Sequence, residues 1–318
     1  MNSKSSLLFL LIAVFLHESH GQDLLCYFRS TGPFSYVCDL LIQNPTGFNN
    51  FTEIRGTHLP GRGNEHVTSV LRVSSSISTN IPSIICNSFI NARDIDLFSI
   101  GIERINEDSF RNCTSLTNLN LGGNNIVEIE ERSFSNNLLL DILSLPGNRL
   151  TTLPANIFAN QRLLHALILS RNSLTELPNN IFAPLTDLIE LNLDFNQLGV
   201  IHSHWFGNLP TLSFVHLREN QINSVDERFI DNTGVYWLGM LSNICINQLV
   251  MDITATRQQM RTALRVCFEN YQDTSGCTPG NLDERVCKLE NENAQQQMEI
   301  DELKKAVQEL LNRNCTST

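Results

Sequence analysis

LTNLNLGGNNI, residues 116–126, is followed 24 residues later by LDILSLPGNRL (140–150), then by LHALILSRNSL (164–174), LIELNLDFNQL (188–198) and LSFVHLRENQI (212–222). The copies share L-x-x-L-x-L-x-x-N and an apolar residue two places on, with Val215 in place of the second leucine in the fifth. Working outward, ARDIDLFSIGI from Ala92 keeps Ile95, Leu97 and Ile102, with Ile100 in place of the asparagine. TSVLRVSSSIS from Thr68 keeps Leu71 and Val73, with Ser76 there instead. Forward, after a 23-residue step, VYWLGMLSNIC from Val235 keeps Leu238, Met240 and Asn243. Residues 68–245 therefore read as seven full units and a partial eighth, the outer ones degenerate as ends of a stack are.

The pattern is that of leucine-rich repeats, and each position has a physical task. Leu119/Leu121, Leu143/Leu145, Leu167/Leu169 and Leu191/Leu193 alternate with polar residues, the period of a strand buried on one face. Asn124, Asn148, Asn172, Asn196, Asn220 and Asn243 stack as a ladder, because an amide both donates to and accepts from backbone at a bend. Phe110, Phe134, Phe158, Phe182 and Phe206 are nineteenth in their units and are expected to line the convex side. Leu153-Pro154 and Leu177-Pro178 predict extended chain or short irregular helix there, since proline resists long helix. No single unit can bury its own apolar face, so the array folds as one solenoid. The expected fold is an α/β repeat solenoid, a horseshoe of 24-residue coils, followed by a helical tail.

Residues 1–21 carry Lys4, an apolar run from Leu7 to Leu16, and the small residues Ser19 and Gly21 before Gln22. That is the pattern of a cleaved signal peptide, and it predicts a secreted, extracellular protein. The apolar run is too short to span a bilayer, and no later run is long enough. Asn50, Asn112 and Asn314 head acceptor sequences for N-glycosylation. The formal net charge of −11 and the absence of a basic stripe argue against nucleic acid as a partner.

The nine cysteines are an odd number, which in an oxidising compartment implies disulfides with one thiol left over. Cys26 and Cys38 bracket a short loop in an N-terminal cap, 22–67. Cys86 takes the phenylalanine place of the first coil, and Cys113 lies within reach of it one coil on. Cys245, Cys267, Cys277, Cys287 and Cys315 all fall at or after the last coil, and their pairing stays open.

Residues 246–281 read as a cysteine-containing helical cap, with Val250, Ile253, Met260, Leu264 and Phe268 on one side of an amphipathic helix over 246–271. Over 282–318 the spacing becomes heptad. Val286, Ile300 and Val307 fall on a, and Leu282, Leu289, Leu303 and Leu310 on d; Asn293 adds a polar a layer. β-Branched a with leucine d favours a parallel two-stranded coil, in which Arg285 faces Glu290 and Glu299 faces Lys304 of a second copy. The competing arrangement is an intrachain hairpin that brings Cys267 to Cys287 and leaves Cys277 exposed at the turn. Cys277 and Cys315 are the candidates for an interchain bond.

Strand residues between the leucines form the concave face. In the last coils they include Glu190, Asp194, Phe195, Phe214, His216, Arg218 and Trp237, aromatics among charges of the kind that anchor proteins. Asp94, Asp96 and Phe98 form a smaller acidic patch. No metal, nucleophile or phosphate-loop motif occurs, so neither enzyme activity nor a cofactor is expected.

The order of signal peptide, 24-residue repeats, cysteine-containing helices (Cys245 to Cys287) and heptads from Leu282 resembles the leucine-rich immune proteins of mosquitoes and other dipterans. The tail resembles the short class. The resemblance implies an innate-immune haemolymph protein that pairs by disulfide and coiled coil, with itself or a related repeat protein, and holds a complement-like thioester protein. The short tail and the Cys26–Cys38 cap depart from the longer members. The alternative expectation is a matrix or developmental adhesion protein built on the same horseshoe.

Overall fold

The structure is a computed structural model, and it describes residues 24–32, 35–42, 54–72, 81, 83–246 and 257–271. Its strands are β1 (Leu24–Gly32), β2 (Ser35–Ile42), β3 (Ile54–Arg55), β4 (Ser69–Arg72), β5 (Asp94–Asp96), β6 (Arg104–Ile105), β7 (Asn118–Asn120) and β8 (Glu128–Ile129). There follow β9 (Ile142–Ser144), β10 (Ala166–Ile168), β11 (Glu190–Asn192), β12 (Val200–Ile201), β13 (Phe214–His216), β14 (Ser224–Val225) and β15 (Trp237–Gly239). Four short helices are α1 (Ile84–Ser88), α2 (Arg228–Asp231), α3 (Arg257–Ala263) and α4 (Arg265–Glu269).

One 11-stranded sheet runs β15-β13-β11-β10-β9-β7-β5-β4-β2-β1-β3. The hairpin β1–β2 is antiparallel, and β2 hands over to parallel pairing at β4. From there each coil pairs with the next in parallel, and at the first step Val70, not the expected Leu71, is the buried residue opposite Ile95. Leu119, Leu143, Leu167, Leu191, Val215 and Leu238 form one buried row across the sheet. A single-residue slip would turn that row to solvent, so the apolar pattern fixes the register.

Behind each strand the chain turns through the asparagine ladder. Asn148 Nδ2 donates to the carbonyls of Leu121 and Leu145, both at 3.0 Å, while its Oδ1 accepts from the Ile126 amide at 3.0 Å. Asn172, Asn196 and Asn220 repeat the arrangement. The residue just before each ladder position takes the left-handed backbone conformation: Ser99, Gly123, Gly147, Arg171, Phe195, Glu219 and Ser242. Its amide donates to a carbonyl of the following coil, as Arg171 does to Asp194 and Phe195 to Arg218, both at 2.8 Å. On the convex side Phe110 stacks on Phe134 at 6.0 Å, and Phe182 lies 5.6 Å from Phe206, all buried.

The expected α/β class needs correction, because the fold is a β-solenoid. The convex connections are turns, helices of at most five residues, and two paired strand fragments, β6–β8 and β12–β14. Of a 24-residue coil, the strand, the asparagine bend and the return to the next strand leave too few residues for a long helix, and the prolines break what remains.

At the C-terminal end α3 and α4 close the core. Met260, Leu264 and Cys267 are buried, and α4 lies against β14. Arg261 joins Glu227 and Asp231 on the last coil, and Asn270 Nδ2 donates to the Asn223 carbonyl at 3.0 Å. The described part of the single helix expected over 246–271 is two helices broken at Leu264; Val250 and Ile253 lie outside the described residues. Disulfides join Cys26 to Cys38, Cys86 to Cys113 and Cys245 to Cys267. The approach of Cys267 to Cys287 in the hairpin arrangement is thereby replaced by a bond back to the last coil. The segment 1–21, Asn50 and the whole of 272–318, with Cys277, Cys287, Cys315, Asn314 and every heptad position, lie outside the described residues. No described helix is long and apolar enough to cross a membrane.

Candidate protein-binding face

Two rows of outward side chains cover the concave sheet. Strand pairing aligns Glu190 with Phe214 and Trp237 in one row, and Asn192 with His216 and Gly239 in the other. The rows change character along the array. Asp94 and Asp96 meet an amide and a hydroxyl at the N-terminal end, where Asn120 Nδ2 donates to Asp96 at 3.1 Å and Ser69 Oγ to Asp94 at 3.0 Å. The middle carries Ile142, exposed, with Ala166 beside it in register. The last coils carry the aromatics.

Those aromatics are organised in pairs. Trp237 lies 4.4 Å from the His216 ring and 5.2 Å from the Arg218 guanidinium. Its indole folds over Gly239, where a Cβ would come within 2.8 Å of the ring. Trp237 thus belongs to the concave face rather than to the underside of α3 and α4. Phe214 meets Tyr236 edge-on at 5.0 Å. Phe195 is 41% exposed and carries the Arg171 guanidinium 4.2 Å from its ring centroid.

Two placements differ from the sequence expectation. Phe195 is not on a strand; it occupies the left-handed bend after β11, with φ 57°. Asp194, expected on the surface, is buried. Its Oδ1 accepts the Arg218 amide at 2.7 Å, which ties the carboxylate into the bend rather than presenting it. Burial pushes the Asp194 carboxyl above its ordinary range, against the opposing pull of the Arg218 amide and the charges of His216, Arg218 and Arg171. Burial likewise pushes the His216 imidazole below its ordinary range, despite Asp194 and Glu190 nearby. His216 Nε2 sits 3.3 Å from Glu190 Oε1. On the convex side Asn112 is exposed, its Nδ2 donating to Asn87 Oδ1 at 2.6 Å.

Residues 79–213 match the family model described as BspA type leucine rich repeat region, in 6 copies. The chain thus carries a leucine-rich-repeat region over these residues. No curated protein matches it. The match to the leucine-rich-repeat model ends before β13 and β15, so the aromatic end of the face lies at and beyond its limit.

Sequence reasoning missed Arg171, Tyr236 and Gly239. Arg171 was legible in principle. It stands at the coil position that Gly123 and Gly147 occupy, the position of a left-handed bend, and so next to Phe195 on the following coil. The packing of Trp237 onto Gly239 depends on a rotamer, and no spacing encodes that.

Proposed function

We propose that this leucine-rich-repeat protein is a secreted binding protein whose concave face, at coils 164 to 239, engages a protein partner. One observation carries the reading. Phe195 is a bulky, exposed aromatic held at φ 57°, a conformation that disfavours large side chains and that two other coils fill with glycine. The same bend carries Ser99, Arg171, Glu219 and Ser242 in other coils; at Phe195 it projects an exposed ring beside Arg171, at the end of the face that also carries Phe214 and Trp237.

The setting is an extracellular innate-immune recognition or scaffold role. It rests on the leader-like residues 1–21, the three disulfides, the glycan acceptor sequences, and the resemblance to mosquito immune proteins, with a complement-like thioester protein as the partner that resemblance suggests. Covalent pairing with itself or a related repeat protein belongs to the same proposal. Three bridges use six of the nine cysteines, and Cys277, Cys287 and Cys315 are an odd remainder.

Two experiments test it. Secreted full-length protein on denaturing gels with and without reductant should show a doubled mass that collapses on reduction; equal masses would remove the covalent pair. Immobilised wild-type protein should retain an extracellular protein partner that Phe195→Ala with Trp237→Ala does not, at unchanged melting temperature. Equal retention by both would remove the concave face from the proposal. Recovery of the protein only from insoluble matrix would favour the adhesion role.

A further inference from the structure

The concave face of coils 164 to 239 holds two guanidinium groups laid on aromatic rings: Arg171 on Phe195 and Arg218 on Trp237. A guanidinium held near a ring by cation–π attraction keeps in-plane N–H donors suited to a carboxylate. Neither group forms an ion pair with a carboxylate among the described residues, although the chain has 33 acidic against 22 basic residues. Elsewhere arginines take such partners, as Arg29 does with Asp39 and Arg228 with Asp226. Other arginines also stand without one, but only these two lie on rings of the concave face. The neighbouring acids are engaged: Asp194 with the Arg218 backbone amide, Glu190 with His216. Arg218 Nε is buried and meets no acceptor. A buried donor without an acceptor is uncommon in a folded protein, and because Nε is covered, the terminal nitrogens of Arg218 are the donors on offer to an incoming group.

We infer that this face receives a carboxylate from an acidic segment of a protein partner. Arg218 takes the carboxylate, Arg171 reinforces it, and an apolar side chain of the same segment lies on Phe195 and Trp237. The inference rests on the protein-binding reading of the concave face and specifies the chemistry that face selects.

The test is a displayed random-peptide library selected on the full-length protein, with clones that still bind Phe195→Ala/Trp237→Ala protein removed. The recovered peptides should carry Asp or Glu next to an apolar residue. Changing that acid to its amide should weaken binding by at least tenfold. Arg218→Met should lose the same factor with its melting temperature kept, and Arg218→Lys should restore part of it. Peptides that need Phe195 and Trp237 but tolerate the amide, or that carry lysine instead, would overturn the carboxylate and leave the binding face standing. A selection yielding no peptide that depends on Phe195 or Trp237 would overturn both.

Discussion

A single side chain, Asn172, closes four backbone groups: it donates to the carbonyls of Leu145, Leu169 and Ser170 and accepts from the Leu150 amide. Three of these bonds are buried and the one to Ser170 is half-buried, so removing the side chain strands groups that cost about 1–3 kcal/mol each when unsatisfied. Asn172→Ala should therefore lower unfolding stability by about 3 kcal/mol in urea titration, far more than an exposed polar-to-alanine change. Asp226 makes a second residue-scale case. Its carboxylate is buried, which alone would raise its pKa, but hydrogen bonds from Arg228 and Ser203 and the Arg228 charge outweigh that and hold it below the ordinary range. A depressed folded pKa means the unfolded chain binds the proton more readily. The stabilisation is complete above the unfolded value of about 3.9 and disappears as pH falls through the folded one. Asp226→Asn should be clearly less stable than wild type at pH 7, with the gap narrowing in melts run progressively below about pH 4. At Phe195, glycine would relieve left-handed strain of roughly 1–2 kcal/mol and forfeit an exposed cation–π contact worth about 0.5–1 kcal/mol. Phe195→Gly should melt no lower than wild type, unusual for deletion of an aromatic ring; a fall of several degrees would show the ring to be structural.

Among the elements, the strands of the central coils and the phenylalanine row were legible because they repeat: a 24-residue period states the pairing partners from β5 to β13, while the cap strands β1, β2 and β3 lie outside it. The C-terminal helices were legible only as a stripe. Met260, Leu264 and Cys267 keep helical spacing across the break at Leu264, so periodicity alone reports one helix where there are two. The Cys245–Cys267 bond was not legible, since no repeat governs how the chain returns after the last coil. That bond fastens α4 to the array across a separation of 22 residues. Replacing both cysteines by serine should cost about 3 kcal/mol, and limited proteolysis should then remove the C-terminal helices while leaving the repeats intact.

For the whole molecule, the solenoid of 24-residue coils was legible in advance, and so was the stretch of it that carries exposed aromatics. The contacts that make that stretch a candidate site were not. Arg171 over Phe195, Trp237 over Gly239 and the inward turn of Asp194 are consequences of backbone dihedrals at the bends. The convex side was legible from its prolines, Pro154 and Pro178, as extended chain or short irregular helix, and it consists of turns, short helices and strand fragments. A stack in which each coil touches only its neighbours has the energetics of a one-dimensional chain, with stability summed from adjacent interfaces. Such a chain ordinarily frays from its free ends, where a coil has one neighbour instead of two. Here both ends are whipped like the ends of a rope: Cys86–Cys113 binds the first coil to the second, and Cys245–Cys267 binds the last to its cover. Hydrogen exchange should accordingly find level protection from the coil at Ala92 to the coil at Leu212, and a gradient falling toward both ends once the bridges are reduced. Unravelling in the oxidised molecule then has to begin amidships.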